Sequence, residues 1–77
     1  MNHVRNEIKK AYEQCQKGRK ISLITAFVVL PSGATEMIVN TTHSQQKLEY
    51  YLNAYDEDMR LVVNPVIHIK NIVITYA

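Results

Sequence analysis

A single cysteine and three histidines are the residues of this chain that most often serve as nucleophiles, general bases or metal ligands. Cys15 would attack as a thiolate, with His43 or His68 as its general base. However, no glycine-rich turn or other nucleophile motif surrounds Cys15. The cysteine also lies on the apolar side of a predicted helix, where a free cysteine packs as a small hydrophobic side chain. We therefore assign Cys15 to the core and predict no catalytic residues and no enzymatic activity.

The spacing of the potential metal ligands does not match a binding site. His3, His43, His68 and Cys15 include no pair with the short separation typical of zinc sites. The acidic run 56–58 is typical of a solvated loop rather than of paired carboxylates. The chain has two glycines and no glycine-rich, phosphate-binding sequence. The sequence therefore predicts neither a metal site nor a cofactor.

Positive charge is concentrated near the N-terminus. Residues 1–20 carry six basic and two acidic residues, a balance of +4, whereas residues 21–77 carry three basic and five acidic residues, a balance of −2. A basic stripe can neutralise nucleic-acid phosphates, although Glu13 is spaced to pair with its lysines. Nucleic-acid binding is therefore the alternative function. Its candidate residues are Arg5, Lys9, Lys10, Lys17, Arg19 and Lys20.

The composition predicts one small folded domain. A chain of 77 residues, 47% hydrophobic and 21% charged, is too short for two cores and too apolar to remain disordered. Its one cysteine forms no internal disulfide, which favours a reducing compartment such as the cytoplasm. No apolar run approaches the roughly 20 residues that cross a bilayer, so we expect no membrane partner.

Two amphipathic helices are predicted. Residues 3–17 place apolar side chains on one side at helical spacing, with Asn2 as the N-cap and Gly18 as the C-terminal stop. Residues 43–55 repeat the pattern, and the preceding segment 42–45 matches a capping box.

A β-hairpin is predicted between the helices, with its reversal at Pro31-Ser32-Gly33. Pairing across this turn places Phe27 opposite Met37 and Ala26 opposite Ile38.

The predicted fold is a single α+β domain, residues 1–77, with the order helix, strand, strand, helix, strand. The last strand, residues 66–76, has an irregularity near residues 70–71 and lies beside the first strand. This gives a three-stranded, mainly antiparallel sheet of order 2-1-3, with both helices on one face. Whether residues 59–63 form a separate strand is left open.

The first strand is apolar on both faces, which is unusual for a sheet that has water on one side. We expect the helices to cover the face with Leu23, Phe27 and Val29, because it carries the bulkier side chains. The opposite face would then lack cover within one chain. The predicted protein-interaction residues are Ile24, Ala26, Val28 and Ile38 on that face, together with an exposed Tyr50 on the second helix.

These observations predict a small non-enzymatic interaction module that forms a homodimer and acts as a regulator or inhibitor by binding a protein partner. On this assignment, Ile24→Glu dissociates the dimer and leaves the helices formed. The compact form, the lack of a catalytic signature and the surplus of apolar strand surface resemble small accessory proteins encoded by phages and prophages.

Overall fold

The computed structural model describes residues 2–77, which form two helices and four strands in the order α-β-β-α-β-β. The helices are α1 (His3–Gln16) and α2 (Ser44–Ala54). The strands are β1 (Ile21–Val29), β2 (Thr35–Asn40), β3 (Arg60–Leu61) and β4 (Asn64–Tyr76). A small α+β fold with two helices and an antiparallel sheet is therefore confirmed.

The sheet has four strands in the order β2-β1-β4-β3, so the predicted count of three strands is wrong. The additional strand, β3, is two residues long and pairs Arg60 with His68 on β4. A strand this short has no alternating pattern to reveal it. The last strand is longer than predicted, because β4 begins at Asn64 rather than at residue 66 and includes Pro65. It follows the turn at residues 62–63.

The hairpin register is confirmed. Phe27 lies opposite Met37 and Ala26 lies opposite Ile38. Gly33 has a φ of 88° in the turn, a left-handed conformation that suits glycine. The predicted irregularity in the last strand is also present, because the pairing of β1 with β4 shifts register between Phe27 and Val28.

The ends of α1 follow the prediction, but the start of α2 does not. The Asn2 side-chain oxygen accepts a hydrogen bond from the Arg5 backbone N–H at 3.1 Å. Gly18, with a φ of 91°, directly follows the C-cap residue of α1. The predicted capping box at residues 42–45 is wrong, because α2 begins after His43, which has a φ of 52° and makes no side-chain cap.

One hydrophobic core lies between the helices and one face of the sheet. Ile24 and Ala26 are fully buried and Val28 is 3% exposed. They belong to the same core cluster as Ile8 of α1 and Leu48 of α2. The predicted assignment of faces is therefore wrong, because these three β1 residues lie beneath the helices and are not available to a partner.

The reason for the inversion is β4, which lies beside β1. Ile69, Ile72 and Ile74 of β4 lie opposite Val28, Ala26 and Ile24, respectively. The other side of β4 carries polar residues such as Asn71 and Thr75 beside Phe27 and Leu23. Summed over all strands, the face with the smaller β1 side chains is the more apolar one, and burial of apolar surface drives the helices onto it. Ile38, the fourth predicted sheet residue, is half-buried and packs against the edge of this core.

Candidate functional site

The face of the sheet opposite the helices is exposed, and we call it the open face. Its β1 residues are half-buried between neighbouring strands, whereas Met37, Val39 and Val73 are 60%, 54% and 48% exposed. None of the residues in its apolar part carries a formal charge, whereas Arg60 of β3, which lies opposite His68 of β4, is a charged residue on the same side of the sheet. The open face comprises Leu23, Thr25, Phe27, Val29, Met37, Val39, Asn71, Val73 and Thr75.

The apolar side chains of the open face are contiguous. Thr25 lies between Val39 and Val73, and the adjacent row has Phe27 next to Met37. Single exposed apolar side chains are normal, but a contiguous apolar patch is typical of a contact surface. Interface centres are also depleted in charged residues. The signal was present in the sequence as the second apolar face of β1, but it was assigned to the helices.

Tyr50 does not lie on the open face. It is 47% exposed on α2, within the helical layer. Its ring centroid lies 5.6 Å from that of Tyr51 and 6.4 Å from that of Tyr55, and the Lys47 Nζ is 4.9 Å above its ring. The predicted exposure of Tyr50 is confirmed, but the structure does not bring this residue together with the other predicted interaction residues.

The basic residues predicted to bind nucleic acid divide into two groups. The Arg5 guanidinium donates hydrogen bonds to the backbone carbonyls of Leu52, Tyr55 and Asp56. The Arg19 guanidinium carbon lies 3.9 Å from the centroid of the Tyr76 ring. These arginines therefore have structural partners. The exposed remainder of the set is Lys9, Lys10, Lys17 and Lys20.

The acidic run has a structural role in the loop between α2 and β3. The Asp56 carboxylate accepts hydrogen bonds from the backbone N–H groups of Asp58 and Arg60, at 2.9 and 3.0 Å. The bond from Arg60, followed by smaller contributions that include Asp58, lowers the pKa of Asp56. The same turn holds the fully buried Met59 at a φ of 59°. The loop is thus an ordered connection, in addition to being exposed as predicted.

The residues considered for catalysis or metal binding do not form a site. Cys15 is half-buried, and burial raises the pKa of its thiol, so the thiolate form is disfavoured. Within residues 2–77, no group of three or more histidine, cysteine, aspartate or glutamate side chains is placed to hold a metal ion.

Tyr51 carries a buried hydroxyl that has no hydrogen-bond partner in the described part of the chain. Burial, with smaller contributions from Tyr55 and Tyr50, raises the pKa of Tyr51 to about 12. The hydroxyl therefore stays protonated at neutral pH and is unsuited to act as a base there.

Tyr51→Phe is expected to stabilise the fold by about 1 kcal/mol, because it removes a buried polar group without a partner. In the unfolded chain a tyrosine ionises near pH 10, whereas folded Tyr51 holds its proton to about pH 12. The contribution of this raised pKa to the free energy of unfolding is complete below about pH 10 and is lost as the pH rises through about 12. Urea unfolding between neutral and alkaline pH measures both effects, with the exposed Tyr50→Phe as the control. Equal effects of the two variants would contradict this account of Tyr51.

Comparison of the chain with protein-family models, with curated proteins and with solved structures gave no match. Neither described helix is long and apolar enough to cross a membrane.

Proposed function

We propose that the protein is a non-enzymatic interaction module that forms a homodimer by stacking the open faces of two copies. In this proposal the dimer binds a protein partner and acts as a regulator or inhibitor. The observation that carries the proposal is a contiguous apolar patch on the open face, formed by β2, β1 and residues 71–75 of β4, that has no charged side chain. The half-buried, unpaired Cys15 supports a reducing compartment such as the cytoplasm.

A second copy suits the open face for two reasons. Two sheets stack at about 10 Å with interdigitating apolar side chains, which matches a flat surface formed by three strands. In addition, two-fold symmetry brings a surface against itself, so a charged face would meet its own charge. The apolar part of the open face, away from Arg60, has no such charge and is compatible with its own copy.

The size of the open face sets the expected affinity. Three strands spaced about 4.8 Å apart, the longest contributing about seven residues, span at most roughly 14 by 23 Å. This is well below the roughly 800 Å² that each partner contributes to a standard interface. We therefore expect association in the micromolar range rather than a permanent dimer.

Thr25→Glu is expected to abolish stacking of the open faces and to leave the fold intact. Thr25 lies at the centre of the open face and is half-buried, so a carboxylate there stays hydrated in the monomer but loses its water in the stacked dimer. Sedimentation equilibrium from about 1 to about 300 micromolar should show association that increases with concentration for the unmodified protein, and Thr25→Glu should reach only about half the mass of the unmodified protein.

The matched control is Gln16→Glu, which adds the same charge at an exposed position of α1. It should dimerise like the unmodified protein. A monomer at every concentration for the unmodified protein, or equal masses for Thr25→Glu and the unmodified protein, would refute the stacked dimer.

Nucleic-acid binding has less support. Two of its six candidate residues, Arg5 and Arg19, already contact other parts of the chain. The remaining lysines are exposed in the way that surface lysines usually are.

A further inference from the structure

Strand β2 forms one edge of the sheet, and its outer side has free backbone groups. The Leu30 N–H donates a hydrogen bond to the Ala34 carbonyl at 2.8 Å, so the backbone carbonyl group of residue 34 points toward β1. The β1–β2 register is regular, so the direction alternates along the strand. The N–H and C=O groups of Thr35, Met37 and Val39 therefore point away from the sheet, where no further strand lies within residues 2–77.

Apart from one charged residue, Glu36, this edge lacks the features with which proteins usually prevent strand pairing. Edge strands are commonly protected by lysine, proline, a bulge or very short length. β2 is six residues long, contains no lysine or proline, and pairs with β1 without a bulge. The opposite edge is different, because β3 has two residues and Pro65 follows nearby.

We propose that β2 pairs antiparallel with β2 of a second copy, which joins two four-stranded sheets into one sheet of eight strands. The outward N–H and C=O groups, which water satisfies in the monomer, match the pairing pattern of an extended antiparallel strand. A second copy supplies one with the same outward groups, related by a two-fold axis perpendicular to the sheet. This inference uses the strand edge rather than the open face, so it does not rest on the stacked dimer.

The side chains of β2 select the register of this pairing. A two-fold axis at Ile38 places Met37 opposite Val39 of the second copy and Glu36 opposite Asn40 of the second copy. An axis at Glu36 would oppose two like charges, which is unfavourable. An axis at Met37 would set each Glu36 opposite Ile38 of the second copy, a charged residue against an apolar one. The register centred on Ile38 is therefore preferred.

The helices leave room for the second copy. They pack mainly against β1, β4 and each other, so β2 extends beyond the helical layer. Ile38, half-buried on the helical side of β2, would be covered by Ile38 of the second copy. The apolar patches on the open faces of the two copies would then be continuous and would together have twice the area.

A disulfide tests the register directly. In this pairing the two Ile38 residues form a non-hydrogen-bonded pair, with Cα atoms about 4.5 Å apart. That separation lies within the range for a disulfide of about 4.4–6.8 Å. In a Cys15→Ala background, we expect Ile38→Cys to form a covalent dimer in a glutathione redox buffer, seen by non-reducing electrophoresis.

The matched control is Glu36→Cys in the same background. In the preferred register, residue 36 is displaced by four residues along the strand from residue 36 of the second copy. The two Cα atoms are therefore roughly 13 Å apart, which is too far for a disulfide. Residue 36 is more exposed than residue 38, so random collision would favour cross-linking of Glu36→Cys. We expect Ile38→Cys to cross-link at least about tenfold faster. Equal rates, faster cross-linking of Glu36→Cys, or no covalent dimer of a folded Ile38→Cys would overturn the proposal.

A second pair of variants tests the backbone contact without a cysteine. Met37→Pro and Met37→Ala remove the same side chain, but only proline also removes the outward N–H, which the monomer does not use. With Thr25→Glu present to block stacking, sedimentation should show a dimer for Met37→Ala and a monomer for Met37→Pro. Circular dichroism confirms that both are folded. Dimerisation of both variants, or of neither, would contradict edge pairing, whereas the stacked dimer is judged by Thr25→Glu alone.

Discussion

Ile24→Glu should remove a large part of the stability of the fold at 25 °C. The Ile24 side chain is fully buried in the core between the sheet and the helices. No buried polar or charged side chain accompanies it in the described core. A carboxylate in that position loses its hydration and gains no partner, at a cost of at least about 4 kcal/mol. The total stability of a domain this size is roughly 4–11 kcal/mol.

Far-UV circular dichroism and urea unfolding measure this effect, with Thr25→Glu as the control. Thr25 is the next residue along β1, and its side chain points to the open face. We expect Thr25→Glu to keep the native spectrum and to change stability by no more than about 1 kcal/mol. A folded Ile24→Glu with unchanged stability would show that the helices do not cover this face. The sequence-based expectation that Ile24→Glu only dissociates a dimer is thereby reversed.

Arg5→Met should destabilise the fold by about 2 kcal/mol, because three carbonyl groups at the C-terminal end of α2 lose a charged donor. The donor–acceptor distances are 3.3 Å to Leu52, 3.1 Å to Tyr55 and 3.0 Å to Asp56. A positive charge at this end of a helix also interacts favourably with its dipole. For a domain of this size, the loss corresponds to a fall in melting temperature of roughly 8–16 °C.

Lys9→Met is the matched control, because it removes the same charge from an exposed position one helical turn away on α1. We expect its stability to stay within about 0.5 kcal/mol of the unmodified protein. Thermal unfolding followed by circular dichroism compares the two variants. If Lys9→Met lowered the melting temperature as much as Arg5→Met, net charge rather than the carbonyl contacts would be responsible.

Arg5 also illustrates what a sequence pattern leaves out. By charge alone it belongs with the lysines of α1 as a candidate nucleic-acid contact. Its hydrogen-bond partners lie 47 to 51 residues away along the chain. No local pattern connects residues so far apart, and the contact exists only because α1 and α2 pack side by side.

Most features that depend on neighbouring residues followed from the sequence, with the capping box at residues 42–45 as the exception. The cap at Asn2, the stop at Gly18 and the turn at residues 31–33 each rest on the chemistry of a few adjacent residues. The register of the hairpin follows from that turn. The sequence also determined that β1 has two apolar faces, and thus that one face would remain exposed when the helices covered the other.

Which face the helices cover was decided only by the tertiary structure. The hairpin alone favours burial of the face that carries Phe27, because Phe27 is larger than the β1 side chains on the opposite face. The isoleucines at positions 69, 72 and 74 add apolar surface to the face of Ile24 only when β4 pairs with β1. With them, the face of Ile24 is the more apolar one. Burial is a sum over every strand that shares a face, so a single strand could not determine it.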